Sequence, residues 1–285
     1  MRLGQSSQTA RRAAAYRAIH QALERGAIFK DQFALRILDE ETSAALNEIA
    51  ADESARPMRL FIAARSRLSE DTIADCVACG VLQVVVLGAG LDTFSLRNPY
   101  ADNGLRVFEV DYPATQVWKR DRIRAAGLSE PKSLIFAPID FEREGLAEGL
   151  ARVGFRLDAP AFFQWLGVVP YLTKDAVSST LKFISGVPRA AVVFDYAEPF
   201  QNYPAERRAS IRATAERAAA RGEPWLSFFE PAELHQLLRG EGFNVVEDFG
   251  LPEIAERFYG VLKRDITLGP GPHIVRAHQQ VIINA

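Results

Sequence analysis

Along the first eighty positions apolar residues recur at helical spacing. Over 9–23, Ala15, Ile19 and Leu23 step by four, with Arg11, Arg12, Arg17 and Glu24 on other faces. The pattern predicts further helices over about 40–52, from Pro57 through Leu60, Phe61 and Ala64, and over 71–79, where Gly80 is placed to end the element. The period then changes. Residues 83–88 (Q-V-V-V-L-G) form a short continuous apolar run ending in glycine, as a buried parallel strand does. Similar runs at 105–110, 133–138, 161–168 and 190–195 alternate with helical stretches at 113–126, 141–153 and 173–185. A polar, Ala- and Arg-rich helix follows over 204–221, then a helix opened by Pro231 that carries Leu234, Leu237 and Leu238, and late strands at 243–249 and 279–283.

This alternation predicts an α/β fold, a doubly wound, mostly parallel seven-stranded sheet with helices on both faces. Residues 1–68 read as an N-terminal helical cap on a domain spanning 69–285, with a helical insertion around 197–230. The composition agrees: 285 residues, 48% apolar and 25% charged, are enough for a large core. The 34 basic and 36 acidic residues leave a net charge of −2, with no field to draw the protein to nucleic acid or an anionic membrane. The apolar run at 81–91 is too short to span a bilayer, and the start lacks a signal-peptide apolar core. A cytoplasmic protein with a small-molecule partner is the expectation.

Cys76 and Cys79 form a C-x-x-C that closes an apolar helix rather than opening one after a strand, with no second pair and no nearby histidine. They read as small core residues, not as a redox pair or half of a zinc site, and no metal is expected. Among the histidines, His20, His235, His273 and His278, none pairs at metal-ligand spacing, and His235 falls on the solvated side of its helix. Lys119-Arg120 with Arg122 and Arg124 reads as a solvated helix face.

The informative stretch is 84–93, V-V-V-L-G-A-G-L-D-T. A strand ending in Gly88-Ala89-Gly90 and turning into a helix is where an α/β sheet binds an adenosine-containing cofactor. The third glycine of the dinucleotide fingerprint would fall at Thr93, which counts against a pyrophosphate. S-adenosylmethionine has no phosphate, and its ammonium and sulfonium suit a turn carrying Asp92. Some twenty residues on, 105–111 is a strand ending in Glu109 and Asp111; either carboxylate could accept both ribose hydroxyls, and Asp111, at the tip, is the better placed. After the third strand, Asp140 and Phe141 can meet the adenine amino group and ring. Trp165, Tyr171 and Tyr196, at the ends of the fourth and fifth strands, and Trp225, in a loop, are candidates to line a substrate pocket.

These segments, with I-A-A-R-S-R at 62–67, F-E-V-D-Y-P at 108–113 and V-V-P-Y-L at 168–172, resemble the leucine carboxyl methyltransferase-like class I methyltransferases, which include bacterial polyketide O-methyltransferases. The resemblance implies that Arg65 holds the methionyl carboxylate, that Gly88 lets backbone meet the methionyl ammonium, that Asp111 binds the ribose and that Asp140 and Phe141 flank adenine. Family members usually carry Glu just before the glycine that is Gly167; here Leu166 stands there, and Gln164, on the same face, is the substitute acceptor. The resemblance thus implies an O-methyltransferase that turns S-adenosyl-L-methionine into S-adenosyl-L-homocysteine, acting on a carboxylate or hydroxyl of a small molecule. An NAD(P)-dependent oxidoreductase, or an inactive binder of the methyl donor, is the alternative.

Overall fold

The computed structural model describes residues 8–140, 144–220, 222–260, 262 and 270–279. Three helices precede the sheet: α1 (Gln8–Leu23), α2 (Glu40–Ala51) and α3 (Arg56–Ala78). Asp39 caps α2 by accepting the Thr42 N–H at 2.8 Å, and Pro57 sits in the first turn of α3. The helices expected separately at 57 and 71 are one. No breaker lies between them, and the buried positions Leu60, Ala64, Leu68 and Cys76 keep one stripe on the sheet. Cys79 caps α3; both cysteines are free, and burial pushes the Cys76 thiol up to about 12.

Then β1 (Gln83–Leu87), α4 (Phe94–Arg97), β2 (Arg106–Asp111), α5 (Pro113–Ala125), β3 (Leu134–Pro138), α6 (Leu146–Arg152), β4 (Phe162–Trp165), α7 (Lys174–Ser185) and β5 (Ala191–Ala197) alternate as the sequence predicts. After β5 come α8 (Ala205–Ala220), α9 (Pro231–Gly240), β6 (Val245–Phe249), the short α10 (Leu251–Ile254) and β7 (Pro272–His278). The strands form one sheet in the order β3-β2-β1-β4-β5-β7-β6, with β7 antiparallel to both neighbours. Side chains alternate strictly across it. Val84, Val86, Phe162 and Val193 pack under α3, whereas Val85, Phe163, Trp165, Val192 and Phe194 pack under α7 and α9.

The last strand corrects the sequence reading. It spans 272–278 among the described residues; of the expected 279–283, Gln279 lies just past its end and positions 280–283 lie outside the described residues. Its polar positions disguised it: His273 and Arg276 are accommodated by partners on β6, Asp248 at 2.8 Å and Glu247 at 2.7 Å. No helix among the described residues is long and apolar enough to cross a membrane.

Candidate active site

The strand order reverses between β1 and β4, so the crevice for a ligand opens at the carboxyl ends of these strands. Gly88 follows β1 there with φ +65°, and a Cβ on it would lie 2.5 Å from Val168 Cγ2. The turn is strapped to β2: the Gly88 N–H donates to the Val110 carbonyl at 2.9 Å, and the Gly90 N–H to Asp111 Oδ2 at 2.6 Å. Asp111 Oδ1 takes the Tyr112 N–H at 2.7 Å. Burial raises the Asp111 carboxyl above its ordinary range, while the Gly90 and Tyr112 amides pull the other way. Above the turn lies α1, and a Cβ at Gly90 would meet Ala10 at 2.8 Å.

The two acids of the second strand separate clearly. Glu109 is fully buried, ion-paired to Lys119 Nζ on α5 at 2.6 Å, and accepts from Ser95 Oγ at 2.5 Å. It therefore faces protein, whereas Asp111 is tied to the glycine turn. Lys119 in turn corrects the reading of its basic run as solvated, being 1% exposed.

Asp92 and Gln164 meet each other. Gln164 Nε2 donates to Asp92 Oδ2 at 2.9 Å, Asp92 Oδ1 accepts the Phe94 N–H at 2.8 Å, and Gln164 Oε1 accepts from Ser69 Oγ at 2.8 Å. This chain ties α3, β4 and the turn before α4 together, so both ends of the Gln164 amide are engaged with protein. Asp140 follows β3, half-buried, and Phe141 lies outside the described residues.

Arg65 projects from α3 to the far side of the crevice. Its Nη1 donates to Asp195 Oδ2 on β5 at 2.8 Å, and its side chain is 10% exposed. Among the described residues Nε and Nη2 have no hydrogen-bond partner. From this point a cavity of about 1030 Å³ extends outward between α1, α2, α3 and α8. Tyr171, Tyr196 and Trp225 line it, together with Tyr16 and Phe61 from α1 and α3. Tyr171 accepts from Thr9 Oγ1 at 3.3 Å, and burial raises its phenol, so it stays protonated at neutral pH. Trp165 does not belong here. It is 2% exposed and does not reach the cavity, with its ring 5.8 Å from that of Phe194 in the core.

Sequence reasoning missed a polar hub beside Tyr196. Asp248 on β6 accepts from the Tyr196 hydroxyl at 2.7 Å and bonds His235 Nε2 and His273 Nδ1, each at 2.8 Å. His273 Nε2 reaches Glu198 at 3.0 Å. His235 is thus half-buried and paired rather than solvated. Flanked by two carboxylates, His273 has its pKa raised despite burial, which alone would lower it. Separations of 13 to 75 residues between partners leave no local signal for this hub. Among the described residues no group of His, Cys, Asp or Glu could hold a metal ion.

Comparison with known proteins resolves which cofactor the chain uses. The family model described as leucine carboxyl methyltransferase matches residues 10–185. A Bacillus subtilis protein named "Putative S-adenosyl-L-methionine-dependent methyltransferase YktD" is 31% identical over 97% of this chain and 99% of its own length. A Mycolicibacterium gilvum protein carrying the same description is 30% identical over 58% of this chain and 53% of its own length. Among solved structures, a DUF574 family protein from Streptomyces avermitilis superimposes with a TM-score of 0.59 at 16% identity, covering 97% of this chain and 99% of that one, a likeness of fold. These matches favour the methyl donor over a nicotinamide cofactor: the chain belongs to the leucine carboxyl methyltransferase family and is an S-adenosyl-L-methionine-dependent methyltransferase.

Proposed function

We propose that this enzyme methylates an oxygen, carboxylate or hydroxyl, of a small molecule in the cytoplasm. The observation that carries this reading is the cavity of about 1030 Å³ lined by the nine-tenths buried Arg65 side chain, whose Nε/Nη2 edge is unbonded among the described residues. That edge suits a bidentate carboxylate, and so the methionyl end of the cofactor. A glycine turn without side chains and the Asp111 carboxylate suit the rest, with Asp111 toward the ribose, Asp140 toward the adenine and Gly88, Ala89 and Gly90 supplying backbone. When bound, S-adenosyl-L-methionine supplies an electrophilic sulfonium methyl.

The chain's own contribution is alignment and exclusion of water. Aromatic walls from Tyr16, Phe61, Tyr171 and Trp225 hold an acceptor against the Arg65 end of the cavity. A carboxylate acceptor arrives ionised and needs no base. A neutral Tyr171 hydroxyl can donate to an acceptor but does not deprotonate one. The test is incubation with the methyl donor and a panel of carboxylic acids, phenols, alcohols and amines, with product and S-adenosyl-L-homocysteine read by mass spectrometry. Methyl esters or ethers are expected. Methylation confined to nitrogen or carbon, or to macromolecules, would overturn the reading.

A further inference from the structure

The guanidinium of Arg65 is fixed on three sides. Asp195 Oδ2 takes Nη1 at 2.8 Å, and the Phe61 ring centroid lies 6.0 Å from Cζ. Gly167, at φ +72°, lies flush beneath it: a Cβ there would sit 2.8 Å from Nη2. Asp195 does a second thing, accepting the Gly167 N–H on Oδ1 at 2.6 Å. One buried carboxylate on β5 therefore pins both the arginine and the glycine surface on which it rests. Leu166, the preceding residue, packs into the apolar core under α3 and brings no charge to this turn.

A long side chain in an open crevice samples many rotamers, and a ligand that needs one of them must pay to select it. Engaging Nη1 from behind leaves Nε and Nη2 unbonded among the described residues, on a side chain that lines the cavity, and such a pair of N–H groups suits a two-bond fork to a carboxylate. Asp195 lowers the local positive charge, so its contribution is orientation rather than field. We infer that Asp195 is a positioning residue for cofactor binding, acting through Arg65 on the methionyl carboxylate without touching the cofactor itself. This rests on the carboxylate role of Arg65 proposed above.

Two ligands separate the possibilities: S-adenosyl-L-homocysteine, and 5′-methylthioadenosine, which keeps adenosine and thioether but lacks the amino-acid end. Calorimetry on the full chain compares the parent with Asp195→Asn, Arg65→Met and the double variant. Asparagine preserves shape and an acceptor for Gly167 while removing the charge. Asp195→Asn is expected to weaken S-adenosyl-L-homocysteine roughly 5- to 50-fold and 5′-methylthioadenosine less than about 2-fold, with the double variant no weaker than Arg65→Met. Asp195→Glu, which keeps the charge one methylene further out, is the second variant, expected to lie between parent and Asn on S-adenosyl-L-homocysteine alone. Unchanged affinity in Asp195→Asn, or equal weakening of both ligands by Asn and Glu, would overturn the inference. Unchanged S-adenosyl-L-homocysteine affinity in Arg65→Met would instead overturn the role of Arg65, and the inference with it.

Discussion

Lys119→Met tests the separation of the two acids on β2. The substitution keeps the length of the side chain and removes the partner of a fully buried carboxylate, leaving Glu109 with the Ser95 hydroxyl alone. Breaking a buried pair in this way costs about 3–5 kcal/mol, because the remaining charge is neither hydrated nor compensated. At roughly 2–4 °C per kcal/mol for a chain of this order, the melting temperature falls by about 6–20 °C. The loss also depends on pH, and its sign is fixed. Burial raises the Glu109 carboxyl above its ordinary 4.5 in the folded protein, and loss of Lys119 raises it further. The ionised group therefore opposes folding increasingly as pH climbs from about 4.5 through the folded value, and protonation relieves the penalty below it. Urea unfolding at pH 5 and pH 8 should show the smaller loss at pH 5. In Glu109→Gln/Lys119→Met no charge is left to bury, and most of the stability should return with S-adenosyl-L-homocysteine affinity unaltered. An equal loss at both pH values, or a double variant as unstable as the single, would refute the reasoning.

Other outcomes follow from the same geometry. Gly88→Ala places a Cβ 2.5 Å from Val168 at a positive φ, for a loss of about 2–4 kcal/mol; Val168→Ala in the same chain should recover the steric part and leave the backbone part, measured as a double-mutant cycle. Asp111→Asn should weaken S-adenosyl-L-homocysteine by tenfold or more in calorimetry, whereas Trp165→Phe should lower the unfolding midpoint without changing that affinity. The Asp248–His273 pair should stabilise the fold most between about pH 4 and 6.5. The raised imidazole's contribution is lost as pH rises through its folded value, and the depressed Asp248 carboxylate's as pH falls through its own; His273→Gln should flatten the alkaline side of a melting-temperature profile.

The sheet was legible because its strands are buried on both faces and read as uninterrupted apolar runs; Val84, Val85 and Val86 sit at 0–2% exposure. The glycine turn was legible because tight strand-to-helix geometry needs residues without side chains. Polar groups whose partners are remote were not. Lys119 looks like one more charge on a basic helix, and what sets it apart is a glutamate on the neighbouring strand. Arg276 and His273 break the apolar run of β7, and their compensating carboxylates lie on a strand some 25 to 29 residues earlier. Trp165 misled for a related reason: it shares a face of the sheet with Tyr196, and only the packing of α7 and α9 over that face separates the aromatic in the core from the one at the cavity wall.

The antiparallel placement of β7 also bears on how the chain assembles during synthesis. Among the described residues β6 pairs with β7 alone, so it has no ladder to join when it leaves the ribosome. Five parallel strands, 83 to 197, each find a neighbour within that span, β4 reaching back across β2 and β3 to pair with β1. The hub of Asp248 and His273, and with it one wall beside Tyr196, forms when residues 272–278 slide between two strands already present. Joining β7 to β5 closes a stretch about as long as the one between β1 and β4, Ala197 against Pro272 beside Val84 against Phe162, and it does so after every other strand is in the chain. A chain stalled before it would carry an open sheet edge along β5, the state in which aggregation competes.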